Sequence, residues 1–202
     1  LADYRLQHHA QSLATDNRAK PDALLQRHAR YFGNVLHSAL QAITETDYRQ
    51  WQPQRIDDQR LFWQLLLKQM GTPVTLAAQQ SHQLTKIITQ ILQTDVGRWI
   101  LNHQHKDSAC ELSLLRETKN NEIKEYIIDR TFIDRDTNIR WIIDYKSSKP
   151  NVGQTLESFI AEQNDLYKIQ LSTYRQLFDP KQNSISCALY FPLIDLLHII
   201  VD

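Results

Sequence analysis

Near residue 105 the hydrophobic pattern changes from a helical to a mainly strand-like period, and this change limits the possible folds more than any other feature. Before it, apolar residues recur every three or four positions, which is typical of amphipathic helices. The pattern predicts helices over 22–43, 57–70 and 75–92, followed by a short helix that Asp95 would cap. After residue 105, short runs rich in β-branched and aromatic residues alternate with polar turns, which indicates strands.

The second half of the chain predicts a sheet with one further helix. The expected strands cover 110–115, 125–133, 139–145, 184–191 and 196–201. A helix is expected over 156–178, with a break near Asn164. Several helices followed by β-β-β-α-β-β predict a single α/β domain. Its helical N-terminal layer would cover 1–105 and its α/β core 106–202.

The composition limits the kinds of partner that the chain can attract. Lys+Arg and Asp+Glu both number 23, so the net charge is zero and any nucleic acid must bind a local patch or a metal site. No apolar run reaches the roughly 18 residues of a spanning helix. The two cysteines, Cys110 and Cys187, lie too far apart in the chain to suggest a disulfide framework or a cysteine zinc site. We therefore expect a cytoplasmic protein without a membrane segment.

The two ends of the sequence predict a domain of a longer protein. The chain begins at Leu1, and its only methionine is Met70, whereas a natural start would carry methionine. The last residues, from Leu196 to Asp202, still have the pattern of a strand. We expect this domain to be preceded by other parts of a parent chain.

The run Ile143-Asp144-Tyr145-Lys146 carries the strongest chemical signal. Asp144 and Lys146 are two residues apart at the end of an apolar strand, so both side chains point to the same face. Asp129 ends the preceding apolar run, and a hairpin would bring it near Asp144. Two close carboxylates repel each other unless they bind a cation, and oxygen ligands favour Mg²⁺ or Mn²⁺. By itself, the short Asp-x-Lys pattern is also compatible with a solvated strand or a surface ion pair.

A wider set of motifs resembles the PD-(D/E)xK nuclease superfamily, and within it the RecB-like branch. The matching pieces occur in the order typical of that branch: Gly33 with His37, Ile128-Asp129-Arg130, Asp144-Tyr145-Lys146, Gln170 with Tyr174, and Leu189-Tyr190-Phe191-Pro192. Each motif is short, and the ordered set is what makes the resemblance specific. One position departs from it, because Ile127 stands where the branch often has glycine.

The resemblance implies a restriction-endonuclease-like core, in which a mixed sheet is flanked by helices, and it implies a role for each motif. His37, Asp129 and Asp144 would bind Mg²⁺ or Mn²⁺, helped by the backbone carbonyl of Tyr145. Lys146 would orient the attacking water or a phosphate oxygen.

Four further residues are expected at or near this site. Glu111 opens the strand before the hairpin, where the branch places an acidic residue, and a solvated glutamate is the alternative. Gln170 and Tyr174 would line the site and steer DNA. Arg130 is either a phosphate contact or a surface charge.

The resemblance also implies a biological role. The chain would be the DNA-cleaving domain, exonuclease in type, of an ATP-dependent helicase–nuclease in double-strand-break repair and recombination. Its partners would be DNA, the helicase domain of the same parent chain and other subunits. ATP would act only through that absent motor, since the sequence lacks a Gly-x-x-x-x-Gly-Lys-Ser/Thr loop. An inactive nuclease-like module that guides DNA or docks a subunit, and a stand-alone nuclease, remain alternatives.

Overall fold

The computed structural model describes residues 21–117 and 121–200, and its first part is a layer of helices. The helices are α1 (Pro21–Glu45), α2 (Pro53–Gln69), α3 (Val74–Gln93) and α4 (Asp95–Ile100), with a 3-10 turn at Tyr48–Gln50. The predicted helices are therefore confirmed, with α1 and α2 starting before the apolar pattern itself begins. No helix in the described ranges is long and apolar enough to cross a membrane.

The apolar stripe of α1 explains why this helix is the centre of the layer. Val35, Leu36, Leu40 and Ile43 follow helical spacing and are at most 1% exposed. The start of α4 differs from the prediction, because Thr94 rather than Asp95 is the capping residue. The hydroxyl oxygen of Thr94 accepts a 3.1 Å hydrogen bond from the backbone N–H of Gly97, which places Asp95 inside the first turn.

The second part is a five-stranded mixed sheet. The strands are β1 (Lys106–Glu117), β2 (Ile123–Ile133), β3 (Arg140–Tyr145), β4 (Ile185–Phe191) and β5 (Leu196–Ile200), and they lie side by side in that order. Neighbouring strands are antiparallel except β3 and β4, which are parallel. A parallel pair needs a crossover connection, and helix α5 (Leu156–Arg175) provides it. The predicted break near Asn164 is wrong, since α5 runs through it.

The sheet separates two hydrophobic cores, and β3 contributes to both. Ile143 and Tyr145 belong to the core formed with the N-terminal helices. Ile142 belongs to the core formed with α5, where Phe159 and Leu171 are buried. This alternation is the strand period of two. The expected architecture, a restriction-endonuclease-like mixed sheet flanked by helices with further helices at the N-terminus, is confirmed.

Candidate metal centre and active site

Three side chains from separate elements converge at one end of the sheet. His37 comes from α1, Glu111 from β1 and Asp129 from β2, and each offers a ligand atom within 4.8 Å of the others. All three side chains are partly buried. Among the described residues, this is the one group of three or more such side chains with metal-ligand spacing.

The two carboxylate oxygens of Asp129 have different surroundings. Oδ2 accepts a 2.7 Å hydrogen bond from the backbone N–H of Tyr145, the last residue of β3. Oδ1 lies 3.7 Å from Nδ1 of His37. One oxygen is thus anchored to the neighbouring strand, which leaves the other directed towards the imidazole and available to a cation.

Glu111 lies in a local distortion of β1. Its φ of +48° is in the left-handed region, which is uncommon for a residue with a side chain. The flanking pairs Cys110↔Arg130 and Leu112↔Ile128 keep their register with β2, so the distortion is confined to Glu111. A left-handed conformation costs roughly 1 kcal/mol or more of folding free energy, so the paired strand on either side of Glu111 must hold it in place. The register between these flanking pairs places Glu111 opposite Asp129 on the neighbouring strand.

Asp144 occupies the end of β3 and is 3% exposed. Its Oδ1 accepts a 3.0 Å hydrogen bond from Nε2 of Gln170 on α5. Its Oδ2 forms an ion pair with the ammonium group of Lys146. Burial and the negative charge of Asp129 raise the pKa of Asp144 to about 6, although the positive charge of Lys146 opposes this shift.

Lys146 is held between a carboxylate and an aromatic ring. Besides the ion pair with Asp144, its Nζ lies 3.8 Å from the centre of the Tyr167 ring, a cation–π contact. Nε2 of Gln170 also donates a 2.8 Å hydrogen bond to the hydroxyl of Tyr174, which is 8% exposed. Gln170 therefore touches the acidic centre, and Tyr174 supports Gln170 from the core. Sequence reasoning missed Tyr167, although its place one turn before Gln170 puts both on one helix face.

The pKa of His37 is raised above its ordinary value. Burial lowers the pKa of His37, but the adjacent Asp129 carboxylate and the negative charges of Glu111 and Asp144 together outweigh burial. A group of acids that stabilises an imidazolium would stabilise a divalent cation as well. The proton and the cation would then compete for the same nitrogen.

Arg130 is neither a surface charge nor a phosphate contact, and both readings of it are wrong. Its side chain is completely buried. The guanidinium donates hydrogen bonds to the backbone carbonyls of Ile100, Asn102 and Ala109, at 2.8, 2.9 and 3.2 Å, and to Oγ of Ser108 at 2.7 Å. Although it follows Asp129 directly, it serves to join the end of α4 to the sheet.

The donors at this end of the sheet fit a hard divalent cation. Carboxylate oxygens suit Mg²⁺ and Mn²⁺, and an imidazole suits Mn²⁺. His37, Glu111 and Asp129 form the compact group, while Asp144 lies beside it, close enough for its charge to act on His37. Asp144, whose Oδ2 is paired with Lys146, is the further carboxylate beside this ligand set.

A mixed sheet with acidic residues and a lysine at the end of its central hairpin defines the class of restriction-endonuclease-like nuclease domains. Comparison with protein families matches residues 2–194 to the PD-(D/E)XK nuclease superfamily. The chain belongs to this superfamily, whose members are generally metal-dependent nucleases. A search of curated proteins found no significant match.

Proposed function

We propose that this chain is a RecB-like DNA nuclease domain, exonuclease in type, that uses Mg²⁺ or Mn²⁺. The observation that carries this proposal is the convergence of His37, Glu111 and Asp129 beside the Asp144–Lys146 pair. The ordered motifs of the RecB-like branch support it, because each coincides with a residue at or next to this centre. The proposal includes the cytoplasmic helicase–nuclease context in double-strand-break repair and recombination.

Each side chain at this centre has a defined task in this proposal. His37, Glu111, Asp129 and Asp144 hold the cation, together with the backbone carbonyl of Tyr145. A bound divalent cation supplies Lewis-acid chemistry, which lowers the pKa of water and neutralises charge on a phosphoryl oxygen. The hydrogen bond from the Tyr145 backbone keeps the Asp129 carboxylate in one orientation.

Lys146 orients the reacting groups. Its ammonium group is fixed from two sides by Asp144 and the Tyr167 ring, so its remaining N–H directions are restricted. It donates a hydrogen bond to the attacking water or to a non-bridging phosphate oxygen, where negative charge grows during hydrolysis. Gln170 assists indirectly by holding Oδ1 of Asp144.

The decisive experiment is cleavage of end-labelled single- and double-stranded DNA, with Mg²⁺, with Mn²⁺ and with EDTA. The wild-type chain should cleave only with metal, and Asp129→Asn, Asp144→Asn and Lys146→Met should each lose at least a hundredfold in rate. Asp136→Asn is the matched control, since Asp136 lies at the other end of the same hairpin and is exposed. Unchanged cleavage by Asp144→Asn and Lys146→Met would overturn the assignment.

Two further measurements address the finer parts of the proposal. Exonuclease action requires that linear DNA is degraded while a covalently closed circle survives. Titration calorimetry with Mn²⁺ distinguishes the inactive-module alternative: a catalytic centre takes up the ion at a site that Asp129→Asn removes, whereas a non-catalytic module shows no such uptake. The helicase–nuclease context predicts ATP-dependent DNA degradation by the parent protein and ATP-independent cleavage by this chain.

A further inference from the structure

A groove of about 230 Å³ opens beside the acidic centre. It runs between α1, the segment after β3 and α5, and its polar lining comes from Arg30, Asn34, His37, Lys146, Ser147 and Tyr167. Its volume is smaller than that of most sites for drug-sized ligands, which favours a compact ligand. His37 and Lys146 belong to the groove and to the acidic centre at once, so the two sites are continuous.

Arg30 is an exposed cation that lines the groove. Within residues 21–117 and 121–200, no hydrogen bond or ion pair holds its guanidinium. Three other arginines each have a carboxylate partner: Arg49 pairs with Asp47, Arg60 with Asp57 and Arg98 with Asp95. A free guanidinium beside a cleft is suited to an anion, above all to phosphate, whose oxygens match its fork of donors.

Three polar residues of α1 line the groove, and the last of them, His37, belongs to the acidic centre. Arg30, Asn34 and His37 follow a spacing of four and then three residues, so they form one stripe along the helix. The backbone positions of Arg30 and His37 are about 10 Å apart along the axis, at about 1.5 Å per residue. Stacked DNA advances about 3.4 Å per nucleotide along one strand. A strand that lies along this stripe would therefore pass Arg30 within about three nucleotides of the acidic centre.

Gly33 allows α1 to approach the segment after β3. A β-carbon at this position would lie 2.8 Å from Oγ of Ser147, which is closer than real β-carbons come to a neighbour. Because Gly33 lacks that carbon, Ser147 fits against α1, and both Ser147 and Asn34 line the groove. Their side chains can donate hydrogen bonds to a ligand.

We propose that this groove binds one backbone phosphate of the DNA strand being cut, within about three nucleotides of the cleaved bond. Arg30 supplies the positive charge, and Asn34 and Ser147 donate hydrogen bonds to the phosphate oxygens. The ring of Tyr167 forms the wall against which the adjoining sugar packs. This inference rests on the proposed nuclease function and adds to it a positioning site outside the cation-binding residues.

The first test measures binding of a fluorescent single-stranded oligonucleotide by anisotropy in EDTA, over a range of KCl concentrations. Arg30→Gln should weaken binding about tenfold at 0.1 M salt and reduce the slope of log K against log salt by about 0.7, the share of one phosphate contact. Arg30→Lys should keep the slope, because it keeps the charge. Lys86→Gln is the matched control: it removes an exposed cation from α3, which contributes nothing to the groove, and should change neither quantity.

The second test identifies the phosphate. Single phosphates of the oligonucleotide are replaced in turn by neutral methylphosphonates. One replacement within three nucleotides of the cleaved bond should weaken binding by the wild-type chain about tenfold and have little further effect on Arg30→Gln. This non-additivity is what a direct contact requires. Full additivity at every position contradicts the proposal, since Arg30 would then act only through general charge.

The two proposals fail in different ways. If the wild-type chain cleaves DNA and Arg30→Gln keeps the wild-type affinity and salt slope, the groove proposal is wrong and the nuclease function stands. If the wild-type chain neither binds nor cleaves DNA under any of these conditions, the nuclease function itself is overturned. An equal loss in Arg30→Gln and Lys86→Gln also contradicts the groove proposal.

Discussion

The backbone N–H of Tyr145 donates a 2.7 Å hydrogen bond to Oδ2 of Asp129, and this contact joins the end of β3 to the middle of β2 at the acidic centre. Because one oxygen is held in this way, Oδ1 is left 3.7 Å from the His37 imidazole. The orientation of the Asp129 carboxylate is thus determined by the main chain of the strand that carries Asp144 and that Lys146 directly follows. A side-chain substitution at Tyr145 would leave this hydrogen bond in place.

Divalent metal should stabilise the folded chain through the converging ligands. At a Mn²⁺ concentration a hundredfold above Kd, we expect the free energy of unfolding to rise by about 2.7 kcal/mol, because only the folded state presents the site. Asp129→Asn and His37→Ala should remove this increase, and Asp136→Asn should retain it. The increase should also shrink as the pH falls from 8 to 6, since protons compete for His37, whose pKa is raised. Thermal unfolding with and without Mn²⁺ measures each effect, and equal stabilisation of all variants would contradict the site.

Asp144 should destabilise the metal-free protein at neutral pH. Its pKa is raised from 3.8 to about 6 by burial and by Asp129, so its ionisation costs more in the folded state than in the unfolded state. The cost is absent below pH 4, grows as the pH rises and is complete above pH 6. We expect Asp144→Asn to raise the free energy of unfolding by roughly 3 kcal/mol at pH 7 in EDTA. Chemical unfolding at pH 4 and pH 7 provides the comparison, and a gain of equal size at both would refute this cause.

Asp134 should have the opposite effect, and it should make the fold sensitive to acid. Burial opposes its charge, but hydrogen bonds from the Trp99 indole and from the backbone and hydroxyl of Thr137 lower its pKa to about 2. Its stabilising contribution is complete above pH 4 and is lost as the pH falls from about 4 to about 2. Asp134→Asn should lower the free energy of unfolding by roughly 2 kcal/mol at pH 7 and by little at pH 2, as measured by urea unfolding. The neighbouring Asp136→Asn should show no such dependence.

Arg130 should be required for folding rather than for DNA binding. Its substitution by methionine would leave the carbonyl oxygens of Ile100 and Asn102 without donors inside the protein. We expect the Arg130→Met substitution to lower the free energy of unfolding by about 3 kcal/mol or more. Arg130→Lys should recover only part of this loss, because an ammonium group cannot reproduce the planar fork of guanidinium donors. Unfolding curves measure the loss, and a folded Arg130→Lys protein should bind oligonucleotides with the wild-type salt dependence. A weaker salt dependence of oligonucleotide binding in that variant would instead indicate that Arg130 contacts a phosphate.

The local parts of the site could be predicted because they depend only on the period of an element. Asp144 and Lys146 share a strand face, and Gln170 and Tyr174 are one turn apart, so their contacts follow from spacing alone. The order of helices and strands follows from the same periodicity. The conformation of Glu111 could not be predicted in this way, because a left-handed residue inside a strand leaves no pattern in the hydrophobic residues.

The amino-acid sequence by itself determined which faces are apolar, and with them the helical layer and the α/β core, while the mixed sheet was implied by the resemblance of its motifs. Only the tertiary structure decided that His37 and Glu111 meet Asp129, and that Arg130 turns into the core. The physical reason is the range of the interactions. Burial patterns repeat within a few residues, whereas the convergence of three elements and the hydrogen bonds of a buried guanidinium depend on packing between distant parts of the chain.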